Sequence, residues 1–378
     1  PLPRFTEYAY AILRKVIMAL IRSVSLQGFK LSKHLLFHSD VRSSIRNCAS
    51  LRPLHCLVQN NRQLVRVTGA ETSQFLQGLI TNDIQHLQEG APSMYSMVLN
   101  SQGRVLHDVI IYNNSVNNEQ GDYLIEVDSS AAENLVKHLK MYKLRKNIEI
   151  NVCPDMKTWV LFDPNIDFNS ISNVDIECLY VNPKVDSEHE LNITGKVEGM
   201  IITRDPRMLY LGHKLILPSG VNADSVIPDL TSCDSDSYTT LRYRLGIAEG
   251  PLELPVGNVT PLEVNGDYLH GISFQKGCYI GQELTARVFH TGVVRKRYMP
   301  VILSEVVSLA IANDTNVLNS KGKRVGRMRT HFGKHGIALL RVADCLADPD
   351  GLSVDGVKLT TFKPAWWPIE ASKQKPNA

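Results

Sequence analysis

The 378-residue chain lacks the cysteine spacings that would let it hold a metal cluster alone. Its seven cysteines, Cys48, Cys56, Cys153, Cys178, Cys233, Cys278 and Cys345, form no CxxC pair and no Cys/His cluster. That argues against a self-contained zinc or four-cysteine iron–sulfur site. The odd, scattered count also argues against a secreted disulfide framework. No Gly-rich turn joins a strand to a helix, so a dinucleotide fold is disfavoured. Internal repeats and low-complexity tracts are missing too. The apolar run around Ala9 to Ile21 is cut by Arg14 and Lys15. It falls short of the ~20 residues a bilayer span requires, so no membrane is expected as a partner.

The body also lacks an excess of positive charge. Net charge is +3, but residues 1–50 hold eight Lys/Arg against two acids, Glu7 and Asp40. That leader contributes +6, leaving −3 for everything after it. A nucleic-acid surface therefore loses its simplest support. A hydrophobic fraction of 43% with 21% charged residues is that of a chain with a real core. The length suggests two or three compact units.

The leader is acid-poor, Arg-rich and holds seven serines, the composition of a mitochondrial transit peptide. From Met18 onward, Leu20, Val24, Leu31 and Leu35 fall on one helical stripe. The chain begins at Pro1, and Met18 is the expected true start. The mitochondrial matrix is the address these features imply.

Order is expected from about Leu51. A strand at Gln63 to Val67 precedes a capping box, Thr68 to Glu71, and a short helix carrying Phe75, Leu76, Leu79 and Ile80. Strands at Met94 to Leu99 and Val105 to Tyr112 flank the turn Asn100-Ser101-Gln102-Gly103. Alternation puts Val105, His107, Val109 and Ile111 on one face. Asp108 lies on the other, with Leu106, Ile110 and Tyr112, as a carboxylate on an otherwise apolar face. A strand at Tyr123 to Val127 follows. A second capping box, Ser130 to Glu133, then opens a helix with Leu135, Val136 and Leu139. Further strands are expected at Ile148 to Val152, Thr158 to Phe162, Met200 to Thr203 and Lys214 to Leu217. The polar stretch from Asp163 to Glu198 reads as a surface excursion, and Ser237 to Ile247 as a helix. Residues 295–343 are strand-rich, with turns at Asn319 to Gly322 and Phe332 to Gly336, and suggest a small β-barrel. Trp366 and Trp367 are expected to anchor the tail on it. The class is α+β with antiparallel sheets.

The sharpest local feature is Lys276-Gly277-Cys278-Tyr279-Ile280-Gly281-Gln282-Glu283. Two glycines bracket the cysteine, and Leu284 and Val288 start a helix at about Gly281. Cys278 is thus expected in a loop before a helix N-terminus with Lys276 nearby, two influences that favour thiolate. Such a thiolate can be a nucleophile, a redox thiol or one ligand of a soft metal cluster. Glu283 and Arg287 are spaced to pair on the helix and to shape the thiol pocket. Arg295-Lys296-Arg297 reads as a solvated strand start.

Lys-Gly-Cys-Tyr-x-Gly-Gln-Glu resembles the signature of the YgfZ-type branch of the folate-binding T-protein (GcvT-like) superfamily. Phe75-Leu76-Gln77-Gly78-Leu79-Ile80-Thr81-Asn82-Asp83 looks like the family's N-terminal helix motif. Gln102-Gly103-Arg104-Val105-Leu106-His107-Asp108 looks like its glycine-turn strand. Arg324-Val325-Gly326 and Ala338 to Arg341 resemble its barrel strands. The resemblance covers about residues 55–345 and, with the leader, is to mitochondrial iron–sulfur assembly factors acting late in maturing four-iron four-sulfur proteins. It implies a three-domain ring with ferredoxin-like halves around a cavity for tetrahydrofolate. The parts would be 1–50 as leader, 51–112 plus 205–292 as domain 1, 113–204 as domain 2 and 293–378 as barrel. Cys278 would be the functional thiol and the ligand of an iron–sulfur cluster shared with a partner. Asp108, Lys276, Gly277, Tyr279, Gly281, Gln282, Glu283 and Arg287 would surround the bound groups. The partners implied are iron–sulfur scaffold or carrier proteins of the matrix. The aminomethyltransferase branch has paired acids where this chain has His107-Asp108, and it lacks the cysteine signature. Three functions stay open: assembly factor, folate-dependent aminomethyl or C1 transferase using Asp108, and thiol-redox repair enzyme using Cys278.

Overall fold

The computed structural model describes residues 54–115, 121–166, 191, 193–307 and 311–368. The leader with Met18 and Cys48, and most of the polar excursion with Cys178, lie outside the described residues. Residues Leu51–Ala378 form a compact unit of their own.

Strand β1 (His55–Val58) leads to β2 (Arg62–Thr68) and helix α1 (Thr72–Gln77). The hairpin β3 (Ser93–Leu99) and β4 (Val105–Asn113) comes next, then β5 (Asp122–Asp128), helix α2 (Ala132–Lys143) and β6 (Glu149–Cys153). Strands β2 to β6 make one antiparallel sheet in the order β3-β4-β5-β2-β6. This sheet continues across residue 112, since β4 pairs with β5 from Ile110↔Glu126 to Asn113↔Tyr123. Strands β7 (Met156–Phe162), β8 (Ile201–Arg204), β9 (His213–Pro218) and β10 (Thr231–Ser232) join β1 in a second sheet, β10-β1-β7-β9-β8. Helices α3 (Ser235–Leu245) and α4 (Gln282–Thr291) precede the C-terminal strands.

Those strands are β11 (Lys296–Leu303), β12 (Asn316–Leu318), β13 (Arg324–Phe332), β14 (His335–Arg341), β15 (Leu352–Val354) and β16 (Val357–Thr361). They close as β11-β14-β13-β12-β15-β16, with β16 pairing back on β11. Closure removes the exposed edges that would invite pairing with other chains. The expected turns lie between β12 and β13 and between β13 and β14. Trp366 donates its indole N–H to Leu245 O (2.9 Å) at the end of α3, tying the tail to that helix.

The sheet of β2 to β6 buries a different set on each face. Val109, Ile111, Ile125 and Val127 pack under α1 and α2, against Leu76, Leu135 and Leu139. Each such side chain contributes about 1.5–3 kcal/mol by leaving water. Ile110, Tyr112 and Leu124 face the larger core, shared with α3 and the barrel. Val105 joins that second set rather than Val109 and Ile111, because the register slips between Val98 and Leu99 and breaks the alternation.

Neither expected capping box forms. At α1 the N-cap is Glu71, with no side-chain cap bond. Its carboxylate instead accepts from Lys146 Nζ (3.1 Å) and Asn147 N (3.0 Å). Before α2, Asp128 accepts from Ser130 N (2.9 Å), and a 3-10 turn intervenes before Ala132. A shorter, charged acceptor two residues upstream captures the N–H first. Helix α3 also starts earlier than expected, because Asp234 caps it through Ser237 N (3.1 Å).

Candidate functional site

Cys278 is exposed, whereas Cys56, Cys153 and Cys345 are buried and Cys233 is half-buried. Burial pushes the thiols of Cys56 and Cys345 up to about 12 and that of Cys233 up to about 11, so they stay protonated at physiological pH. The cysteine loop is held from two sides. Ile280 N donates to Gly78 O (3.1 Å), and Ser273 N to Thr81 O (3.0 Å). Thr81 Oγ1 donates to Gly271 O (2.6 Å), and Asn82 Nδ2 to His270 O (2.8 Å). The segment Phe75 to Asp83 therefore meets the cysteine signature in space.

Lys276 makes the strongest tie, and it corrects the expectation that this lysine attends the thiol. Its ammonium turns inward and donates to Gln77 O (2.7 Å), Ile80 O (2.8 Å) and Asn82 O (2.7 Å). Three N–H groups thus satisfy the carbonyl of the last residue of α1 and two in the turn that follows it. Burial lowers its pKa to about 8, against the opposing pull of Asp83. Tyr279 is buried beneath it, with the ammonium 5.0 Å from the ring centroid. Lys276 is thus a clamp.

The other side is a contact between two glycines. Gly281 has φ +79° and caps α4 in the left-handed conformation. A Cβ there would run into Asn100 O and lie 3.0 Å from Gly103 Cα and Leu99 Cβ. Gly103, at φ +77°, sits in the β3–β4 turn, where a Cβ would meet Gly281 O and Leu284 Cβ at 2.8 Å. The hairpin turn and the helix start can approach this closely only because both lack side chains. Gly277 differs: a Cβ there meets nothing within 4 Å. Gly277→Ala is expected to leave the melting temperature within about 1 °C of wild type, as surface substitutions away from special backbone usually do.

Gln282 accepts from Tyr279 N at 3.4 Å. Glu283 is exposed in the first turn of α4, where its charge suits the helix dipole. Arg287 is exposed one turn on. Phe274 stacks on Phe289 (centroids 3.5 Å apart, 12° between planes), and Phe289 and Val293 are exposed. An apolar patch thus adjoins the cysteine loop. Of Arg295 to Arg297, the first two are exposed, but Arg297 turns inward. It meets Asp267 (2.8 and 2.9 Å) and lies 3.8 Å over Tyr268.

Asp108 belongs to a different constellation. Its Oδ1 accepts from Gly250 N (3.0 Å) and its Oδ2 from Arg62 (3.4 Å). Arg62 also reaches Glu126 (2.9 Å), which takes Lys214 (2.9 Å) and the Tyr112 hydroxyl (2.6 Å). Beside it, Arg207 pairs with Asp205 (2.6 Å) and Glu249 (2.5 Å), and Arg242 with Glu253 (2.7 Å). All these side chains are buried. The face of Asp108 is a web of paired charges, and its members from β2, β5 and β9 had no local sequence signal. A pterin reaching Asp108 would share its carboxylate with Arg62 and Gly250 N.

His107 faces the other way, buried, with Nδ1 unpartnered. Burial lowers its pKa to about 4, with Asp108 opposing and His138 reinforcing. The unfolded value lies near 6.5, so the neutral ring contributes stability above pH ~6.5 that is lost as pH falls through 4. The loss is up to about 3 kcal/mol. Urea midpoints measured from pH 7 to 4 should fall, and His107→Gln should flatten that drop.

The chain is 34% identical to the mouse mitochondrial iron–sulfur cluster assembly factor IBA57, over 84% of this chain and 86% of that one. It belongs to the IBA57 family. The human IBA57 protein is 33% identical, over 83% of this chain and 85% of its own. Residues 295–369 match the family model for the CAF17 C-terminal beta-barrel domain, in agreement with the closed barrel. The glycine cleavage system aminomethyltransferase T of Bartonella henselae shares the fold. Its TM-score is 0.57 at 13% identity, covering 84% of this chain and 88% of that one. The IBA57 relatives are named as mitochondrial, in keeping with the acid-poor leader. This chain is a mitochondrial member of the iron–sulfur assembly family on a T-protein-like scaffold.

Proposed function

We propose that this protein matures four-iron four-sulfur proteins in the mitochondrial matrix, with the Cys278 thiolate as one ligand of a cluster held jointly with a scaffold or carrier protein. One observation carries the reading: Cys278 is exposed, and among the described residues no group of three His, Cys, Asp or Glu can hold a metal. A single thiolate cannot complete a cluster's coordination, so the remaining ligands come from a partner. The cluster is cargo here, and the chain supplies a fixed loop, an accessible sulfur and an apolar margin at Phe274 and Phe289. Glu283, Arg287 and Gln282 border that surface, while Lys276, Tyr279 and Gly281 hold its backbone.

The transferase alternative draws no support from Asp108, whose two oxygens are engaged by Arg62 and Gly250. In cells depleted of the native protein, wild type should restore the activity of a four-iron four-sulfur dehydratase. Cys278→Ala, expressed at the same level, should not. Full rescue by Cys278→Ala would remove the thiol from the function.

A further inference from the structure

We propose that the C-terminal tip of α2 is a lipid-binding surface, inserting Leu144 and Met141 into an anionic bilayer while neighbouring cations hold lipid phosphates. The backbone gives the first reason. Leu144 ends the helix at φ +51°, a left-handed position where glycine is favoured, and its side chain is 85% exposed. A leucine there neither relaxes the backbone nor fills the core. Met141, three residues earlier and on the same side of the helix, is 61% exposed. The opposite face of α2 is already buried through Leu135, Val136 and Leu139.

Charge is the second reason. Between Asn134 and Ile148 the chain carries five Lys/Arg and no acid, within a body whose net charge is negative. An open surface depression of about 480 Å³ beside Leu144 is lined by Lys143, Arg145 and the ion pair of Lys146 with Glu71. It is large enough for a phosphate headgroup, and its wall is net positive. Two projecting apolar side chains flanked by long cationic stems suit the boundary between headgroups and acyl chains. No helix of the described residues is long and apolar enough to cross a membrane, so the contact is peripheral.

The test uses residues Leu51–Ala378, a compact unit by themselves, so that the basic leader cannot bind on their behalf. They are cosedimented with vesicles of phosphatidylcholine alone or mixed equally with phosphatidylglycerol. Binding is expected only to the mixed vesicles, weakening with added salt. Leu144→Gly relieves the positive φ and should keep or raise the melting temperature, yet weaken partitioning about tenfold. Lys140→Glu and Lys143→Glu should each weaken it by about fivefold or more, the equivalent of ~1 kcal/mol per surface cation. Absence of partitioning to the mixed vesicles, or unchanged partitioning of Leu144→Gly, overturns the proposal. Capture of soluble polyglutamate without vesicle binding would assign the tip to an acidic protein and overturn it as well.

Discussion

Glu126→Ala is expected to cost about 3–5 kcal/mol of unfolding free energy, among the largest effects of any single substitution in this chain. The carboxylate is fully buried and takes Arg62 (2.9 Å), Lys214 (2.9 Å) and Tyr112 (2.6 Å) at once. Burial pushes its pKa up, but Lys214 and Arg62 outweigh that and hold it below the ordinary carboxylate range. Truncation leaves two cations facing each other in a dry interior, with Asp108 and Gln59 their remaining partners. Urea unfolding gives the cost directly. Replacing Glu126 and Lys214 together by Met should recover most of the loss, because Arg62 then keeps Asp108 and no uncompensated charge is left buried. Equal losses in the single and double variants would mean that packing volume, not charge, dominates at this point.

Gly281→Val is expected to cost about 2–5 kcal/mol, combining left-handed backbone strain with overpacking. Its side chain would collide with Asn100 O, Gly103 and Leu99, all in or beside the β3–β4 turn. Because the same contact seats the cysteine loop, the variant should also speed amide exchange across residues 275–281. Gly277→Ala serves as the control, since its Cβ enters open space. A Gly281→Val protein with wild-type stability and exchange would show that the glycine contact does not position the loop.

The elements were largely legible because their patterns are local. The β3–β4 hairpin declared itself through alternating apolar residues around Asn100-Ser101-Gln102-Gly103, and α4 through Leu284 and Val288 after Gly281. The cysteine signature and the segment Phe75 to Asp83 were both visible, but not that they touch. Their contact joins residues almost two hundred positions apart. The direction of Lys276 is hidden from the sequence for the same reason. Proximity in sequence points to Cys278, while three carbonyls at and just beyond the end of α1 are the partners it takes. Asp108 looked like an acid on an apolar strand because Arg62 and Glu126 come from neighbouring strands and Lys214 from the second sheet. Charge compensation across strands leaves no period in any one of them. The capping boxes failed at a finer scale, where Asp128 took the Ser130 N–H that Glu133 was expected to accept.

The shared-ligand role of Cys278 is tested most directly by anaerobic reconstitution. The protein is mixed with a matrix iron–sulfur scaffold or carrier protein, iron and sulfide, and the complex is separated by size. Visible absorption and circular dichroism then report the cluster. Wild type should carry a cluster signal in a fraction containing both proteins, and Cys278→Ala, equally folded, should lose it from that fraction. The same cluster spectrum in the Cys278→Ala complex would contradict the shared site.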